Sequence, residues 1–167
     1  MASDQEEKER DQLIFELIKR RLDGEWQRLR DLDDKASNLI GFVSVATGVL
    51  LGTGMLGLVT LDTINPLAAF FFFAGTGLLI TSIIFSLYGF KIRDWHDAPD
   101  VNYLVQEYKS KPYTQVLRRV AGEMKKVVVE MEIKLNEKAH YISIAWYLLI
   151  AGLILVFIFV LIMVNSG

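Results

Sequence analysis

The stretch ASNLIGFVSVATGVLLGTGMLGLV, residues 36–59, contains no Asp, Glu, Lys or Arg and follows directly on the charged run Asp31-Leu32-Asp33-Asp34-Lys35. A helix rises about 1.5 Å per residue, so about 20 residues cross the hydrocarbon core of a bilayer. The stretch exceeds that length. Pro66 to Phe90 and Tyr141 to Val164 are equally free of charge and equally long enough. The sequence therefore reads as an all-α polytopic membrane protein with three transmembrane helices and a cytoplasmic helical bundle.

The flanks give this reading a direction. All 18 Lys and Arg lie before the first stretch or between the second and third, with none in Thr60–Asn65 or after Val164. Positively charged flanks stay on the cytoplasmic side, which puts the amino terminus inside and the carboxy terminus outside; the expected location is a cell inner (plasma) membrane. Residues 1–35 then form a cytoplasmic amphipathic helix and 36–90 a transmembrane hairpin. Residues 91–140 form further cytoplasmic helices, and 141–167 a third transmembrane helix with an extracytoplasmic end. The first dozen residues are mostly charged, with no apolar core or small-residue cleavage site, unlike a secretory signal peptide.

Several function classes lose support from composition. Of the 20 acidic residues all but Asp62 are interleaved with the basic ones, and the net charge is −2, which argues against a nucleic-acid groove. The chain has no Cys, hence no disulfide, thiolate nucleophile or Cys-based metal site. His96 between Asp94 and Asp97, and His140, lack the ligand number a metal needs. No phosphate loop, nucleophile elbow or convincing pair of catalytic carboxylates is present, so neither enzyme activity nor a cofactor or metal is expected. The spans hold no Asp, Glu, His, Lys or Arg, which argues against a proton-coupled pump or voltage sensor.

Local patterning fills in the helices. Ile14, Ile18, Leu22, Trp26, Leu29 and Asp33 recur at helical spacing, and a lone Gly24 costs only about 1 kcal/mol, so one helix is expected over about 5–35. Asn65 and Pro66 suit an N-cap and first helical residue. The short loop before them forces an antiparallel hairpin. A short helix is expected from about Pro99 to Tyr108, broken at Ser110-Lys111-Pro112. From Thr114, the residues Leu117, Val120, Met124, Val127, Met131, Leu135 and Ala139 approximate a coiled-coil stripe of about three heptads. That helix is free to continue through the third span to Val164, on the order of 75 Å.

The first span carries the candidate site. Ser37, Gly41, Ser44, Gly48 and Gly52 fall on one face with Asn38 beside it, and small residues let helices approach closely in lipid. Gly75, Ser82, Ser86 and Gly89 repeat the idea in the second span, whereas the third is bulky nearly all round, as a lipid-facing helix would be. Asn38, Gly41, Ser44, Gly48 and Gly52 are accordingly expected to line a pore or pack helices. Packing of spans one and two within a subunit is the alternative. Asp31, Asp33 and Asp34 would form acidic rings at a cytoplasmic mouth in a cyclic oligomer, or a solvated face partly neutralised by Lys35.

The run Leu32-Asp33-Asp34-Lys35-Ala36-Ser37-Asn38-Leu39-Ile40-Gly41-Phe42, with its Asp-Lys-Ala entrance into a span, resembles the small prokaryotic membrane proteins of the Pycsar-effector and SLATT-like group. Asn136-Glu137-Lys138-Ala139 is similar to their second helical entrance. The resemblance implies a phage-defence effector that senses a signal through cytoplasmic helices, assembles and impairs the inner membrane. The expected function is thus a homo-oligomeric channel or pore-forming effector, its partners being membrane lipid, copies of itself, and ions or a small-molecule trigger. A non-conducting scaffold docking a soluble protein at Leu104, Tyr108 or Val116 is the competing expectation.

Overall fold

The computed structural model describes residues 2–59, 66–91 and 111–166, and all of its elements are α-helices. Helix α1 covers Ala2–Val59, α2 Pro66–Lys91 and α3 Tyr113–Ser166. Each is long and apolar enough to cross a membrane. Helix α1 passes Gly24 without a break, and α3 runs on through the third charge-free stretch. The Pro112 carbonyl accepts hydrogen bonds from the Gln115 and Val116 amides at 3.0 and 3.2 Å, so α3 starts where proline supplies no amide of its own. Asn65, His96 and the helix expected over 99–108 lie outside the described residues.

The chain divides into two compact units. A charged unit comprises Met1–Asp31 with Arg93–Asn136, and an apolar unit comprises Leu32–Ile92 with Glu137–Gly167. Both α1 and α3 contribute to each.

In the charged unit α1 and α3 run parallel, because ion pairs join them in matching order. Glu7 and Asp11 meet Arg118, Arg21 meets Glu132 at 2.9 Å, and Arg28 donates to Asn136 at 2.7 Å. Inward positions step by four and three: Asp11, Phe15, Ile18, Leu22, Glu25 and Leu29 on α1, and Leu117, Ala121, Met124, Val128, Met131 and Leu135 on α3. This 3.5-residue period keeps one seam facing its partner along two supercoiling helices. It differs by one residue from the expected stripe at several places. Phe15 replaces Ile14 and Glu25 replaces Trp26, because the expected stripe steps by four from 14 to 26 whereas the seam alternates four and three; Trp26 and Ile14 are exposed.

The apolar unit is a three-helix packing with α2 antiparallel to the other two. Its core joins Leu39 and Val43 of α1, Leu79 of α2, and Ala145, Leu149 and Val156 of α3. Ala68, Phe72 and Phe159 form a second cluster, with the Phe72 and Phe159 rings 5.2 Å apart. Helix α2 turns Ala68, Phe72, Gly75, Leu79, Ser82, Ser86 and Gly89 inward, again in steps of four and three. The third span is not uniformly outward-facing. Ile142, Ala145, Leu149, Gly152, Val156 and Phe159 are buried, while Trp146, Ile150, Ile154 and Phe157 are exposed. Hydrophobicity is similar on both faces, so the buried one is selected by size, with Ala145 and Gly152 admitting α2.

Candidate functional site

The small residues of α2 and α1 meet different fates. At the α2–α3 crossing, a Cβ placed on Gly75 would lie 2.9 Å from Val156 Cγ2 and 3.1 Å from the Gly152 carbonyl oxygen. One placed on Gly152 would lie 2.9 Å from Leu79 Cδ2 and 3.1 Å from the Gly75 carbonyl oxygen. The backbones touch there because neither residue has a side chain. Further along, the Ser82 hydroxyl donates to the Ala145 carbonyl at 2.7 Å, and Gly89 packs against Ile142. Gly75, Ser82 and Gly89 of α2 are thus consumed within the chain, whereas Gly77 is exposed with open space around it. Helix α1 contributes Gly54, whose position the Phe72 ring closes off.

The remaining small face of α1 is open. Ser37, Asn38, Gly41, Ser44, Gly48 and Gly52 are all exposed, and a Cβ at Gly41, Gly48 or Gly52 would meet nothing within 4 Å. Phe42, Val45 and Val49 flank them, also exposed. The face is uncharged, carries two hydroxyls and one amide, and is shallow enough to accept a second helix at close range. All five residues singled out in this span, Asn38, Gly41, Ser44, Gly48 and Gly52, therefore share one accessible face. Thr47, on the opposite side of α1, is buried. Its hydroxyl, like those of Thr76 and Ser86, has no hydrogen-bond partner among the described residues.

The three aspartates at the entrance separate. Asp31 and Asp34 are exposed, whereas Asp33 pairs with the Nζ of Lys138, whose side chain is fully buried. Lys138 occupies an inward position of α3 between Leu135 and Ile142, and its Nζ lies 5.8 Å from the Phe90 ring centroid. A charge in that position is sustained only by its counter-ion, so Asp33 acts within the subunit and the open acidic surface reduces to Asp31 and Asp34. The spacing of Lys138 gave no sign of this partner 105 residues away. One hint existed: its place at the second Lys-Ala entrance.

A second charged constellation lies in the charged unit. Arg118 is half-exposed and forks to Glu7 and to Asp11, the latter at 2.7 Å with only 5% of its side chain exposed. The hydrogen bonds it donates to Glu7, then to Asp11, hold the guanidinium pKa above its ordinary value. Val116 is half-buried beside this end of α3, while Leu104 and Tyr108 lie outside the described residues. Leu13, Ile14 and Leu17 of α1, with Val129 and Ile133 of α3, are exposed apolar residues of the unit. Among the described residues no group of three His, Asp or Glu could hold a metal ion.

These features define an all-helical protein with three helices long and apolar enough for a membrane and one of them bearing an open, small-residue face. No protein-family model, no curated protein and no solved structure matches the chain.

Proposed function

We propose that this chain is the subunit of a homo-oligomeric channel or pore-forming effector in the inner (plasma) membrane, with the charged unit and the amino terminus cytoplasmic. The observation that carries this reading is the open α1 face of Asn38, Gly41, Ser44, Gly48 and Gly52, uncharged and unfilled while Gly75, Ser82, Ser86 and Gly89 of α2 are packed. Three helices of this size cannot enclose a pore alone, so a conducting path needs several copies around an axis, with that face turned inward or between neighbours. Exposed Asp31 and Asp34 would draw cations to the cytoplasmic mouth. A stimulus reaching the charged unit has a route to the membrane, since α1 and α3 each carry segments of both kinds. The resemblance of the two Lys-Ala entrances adds the role of a phage-defence effector, and the trigger would be an ion or small molecule.

The test is the mass of the detergent-solubilised particle together with ion flux from liposomes containing purified protein. A tetramer or larger ring that conducts, and loses both properties on Gly48→Leu, is the expected result. A monomeric or dimeric particle ends the shared-pore reading. A second reading, a non-conducting scaffold for a soluble partner, is favoured by exposed Leu13, Leu17, Val129 and Ile133 in the charged unit. It is preferred if no ligand or pH produces flux and Leu17→Asp abolishes partner binding.

A further inference from the structure

Beside the Asp33–Lys138 pair, α1 and α3 leave an open groove of about 590 Å³ between them, lined by Lys35 and by Ile142, Ser143, Trp146, Tyr147 and Ile150. That volume lies within the range of about 300–1,000 Å³ usual for small-molecule sites. Along α3 the lining extends from Ala139 to Ile150, about 16 Å at the helical rise. Its polarity is graded. Lys35 stands at one end, Ser143 and the two aromatic rings in the middle, and Ile150 at the other.

Two observations define what fits. No carboxylate lines the groove, and Lys35, unlike Lys138, has no ion-pair or hydrogen-bond partner among the described residues. A purely apolar helix laid in the groove would cover Ile150 but desolvate the ammonium without compensation, which is costly. A free inorganic anion would satisfy Lys35 and leave the apolar end wet. The occupant with both chemistries is an amphiphile with an anionic head. Trp146 and Tyr147 are 47% and 72% exposed, side by side, as residues of a membrane–water boundary are.

We propose that this groove binds one anionic phospholipid of the surrounding bilayer, its phosphate against Lys35 and an acyl chain along Ile142 and Ile150. The inference rests on the membrane placement given above and is independent of whether the protein conducts.

The experiment uses the full chain with Trp26→Phe and Trp95→Phe, leaving Trp146 as the sole fluorophore, in vesicles of phosphatidylcholine and phosphatidylglycerol with one or the other dibrominated. Quenching of Trp146 gives the relative association of the two lipids at the groove. We expect phosphatidylglycerol to be preferred about fivefold, the scale of one lysine at an anionic surface. The preference should vanish in Lys35→Gln, survive in Lys35→Arg, and withstand a large excess of inorganic phosphate.

Equal quenching by both lipids, or a preference that persists in Lys35→Gln, overturns the site while leaving the membrane placement intact. Competition by inorganic phosphate overturns the lipid as the occupant. Quenching by neither lipid overturns the membrane placement and the proposal together. Lys35 is exposed, so its substitution spares the fold; an unchanged helical circular dichroism spectrum serves as the control.

Discussion

Helices α1 and α2 carry similar sets of small residues, yet those of α2 are buried at Gly75, Ser82, Ser86 and Gly89 whereas those of α1 are exposed at Gly41, Ser44, Gly48 and Gly52. The two lysines at the span entrances repeat the contrast, since Lys138 is buried against Asp33 and Lys35 is exposed in a groove. In each pair one member has its contacts satisfied within the subunit. The other is left exposed. Small residues and lysines near a membrane therefore carry no fixed meaning; what faces them assigns it.

The sharpest way to break this comparison is through the lysines. Lys138→Met strands the Asp33 carboxylate in the apolar unit and should cost about 3 to 5 kcal/mol, towards the lower end because Asp33 keeps some exposure. The double variant Asp33→Leu with Lys138→Met should recover most of that loss, and Lys35→Met should cost nothing. Thermal unfolding in detergent measures all three. Equal losses at Lys35 and Lys138 would remove the distinction between them.

The glycines give the next effect. Gly75→Ala forces a methyl against Val156 and the Gly152 carbonyl, and overpacking of this kind costs about 1 to 3 kcal/mol. Gly48→Ala meets no neighbour and should leave subunit stability unchanged or raised by up to about 1 kcal/mol, the helical preference of Ala over Gly. Urea unfolding of the two variants side by side makes the comparison.

The serines sharpen it at a finer scale. Ser82→Ala loses the bond to the Ala145 carbonyl and should cost about 1 kcal/mol. Ser86→Ala removes a buried hydroxyl that has no partner among the described residues and should be neutral or stabilising. A greater loss at Ser86 than at Ser82 would contradict the packing described.

The smallest effect concerns pH and the charged unit. Arg118 has its pKa raised by Glu7 and Asp11, so its contribution is fully present below the unfolded-state value and is lost only as pH rises through the still higher folded-state value. From about pH 6 to about pH 9 the guanidinium is charged in both states, and it adds no slope to the urea midpoint there. Arg118→Gln should lower that midpoint slightly and equally across the range. A loss confined to the alkaline end would place the linkage elsewhere.

Much of the fold is legible along the chain because bilayer-length, charge-free stretches have few alternatives. Among the described residues, the charge-free stretches 36–59, 66–90 and 141–164 are all helical. The seam was harder to read. Ile14 and Trp26 belong to a stripe that steps by four, but Phe15 and Glu25 lie on the alternating four-three seam that two supercoiling helices share. In the third span nearly every residue is apolar on all sides, so periodicity selects no face; only contact with α2 reveals why Gly152 is there.

What the sequence determined by itself is the helical class, three apolar lengths, the asymmetry of positive charge and the clustering of small residues on one face of α1. These follow from one-dimensional properties, namely where charge cannot go and how far a helix rises per residue. Only the tertiary structure decided which glycines touch, that Asp33 belongs to Lys138, and that Lys35 is left at the end of a groove. Those are pairings across about a hundred residues of chain, and no local preference encodes them, because the stability of each partner depends on the arrival of the other.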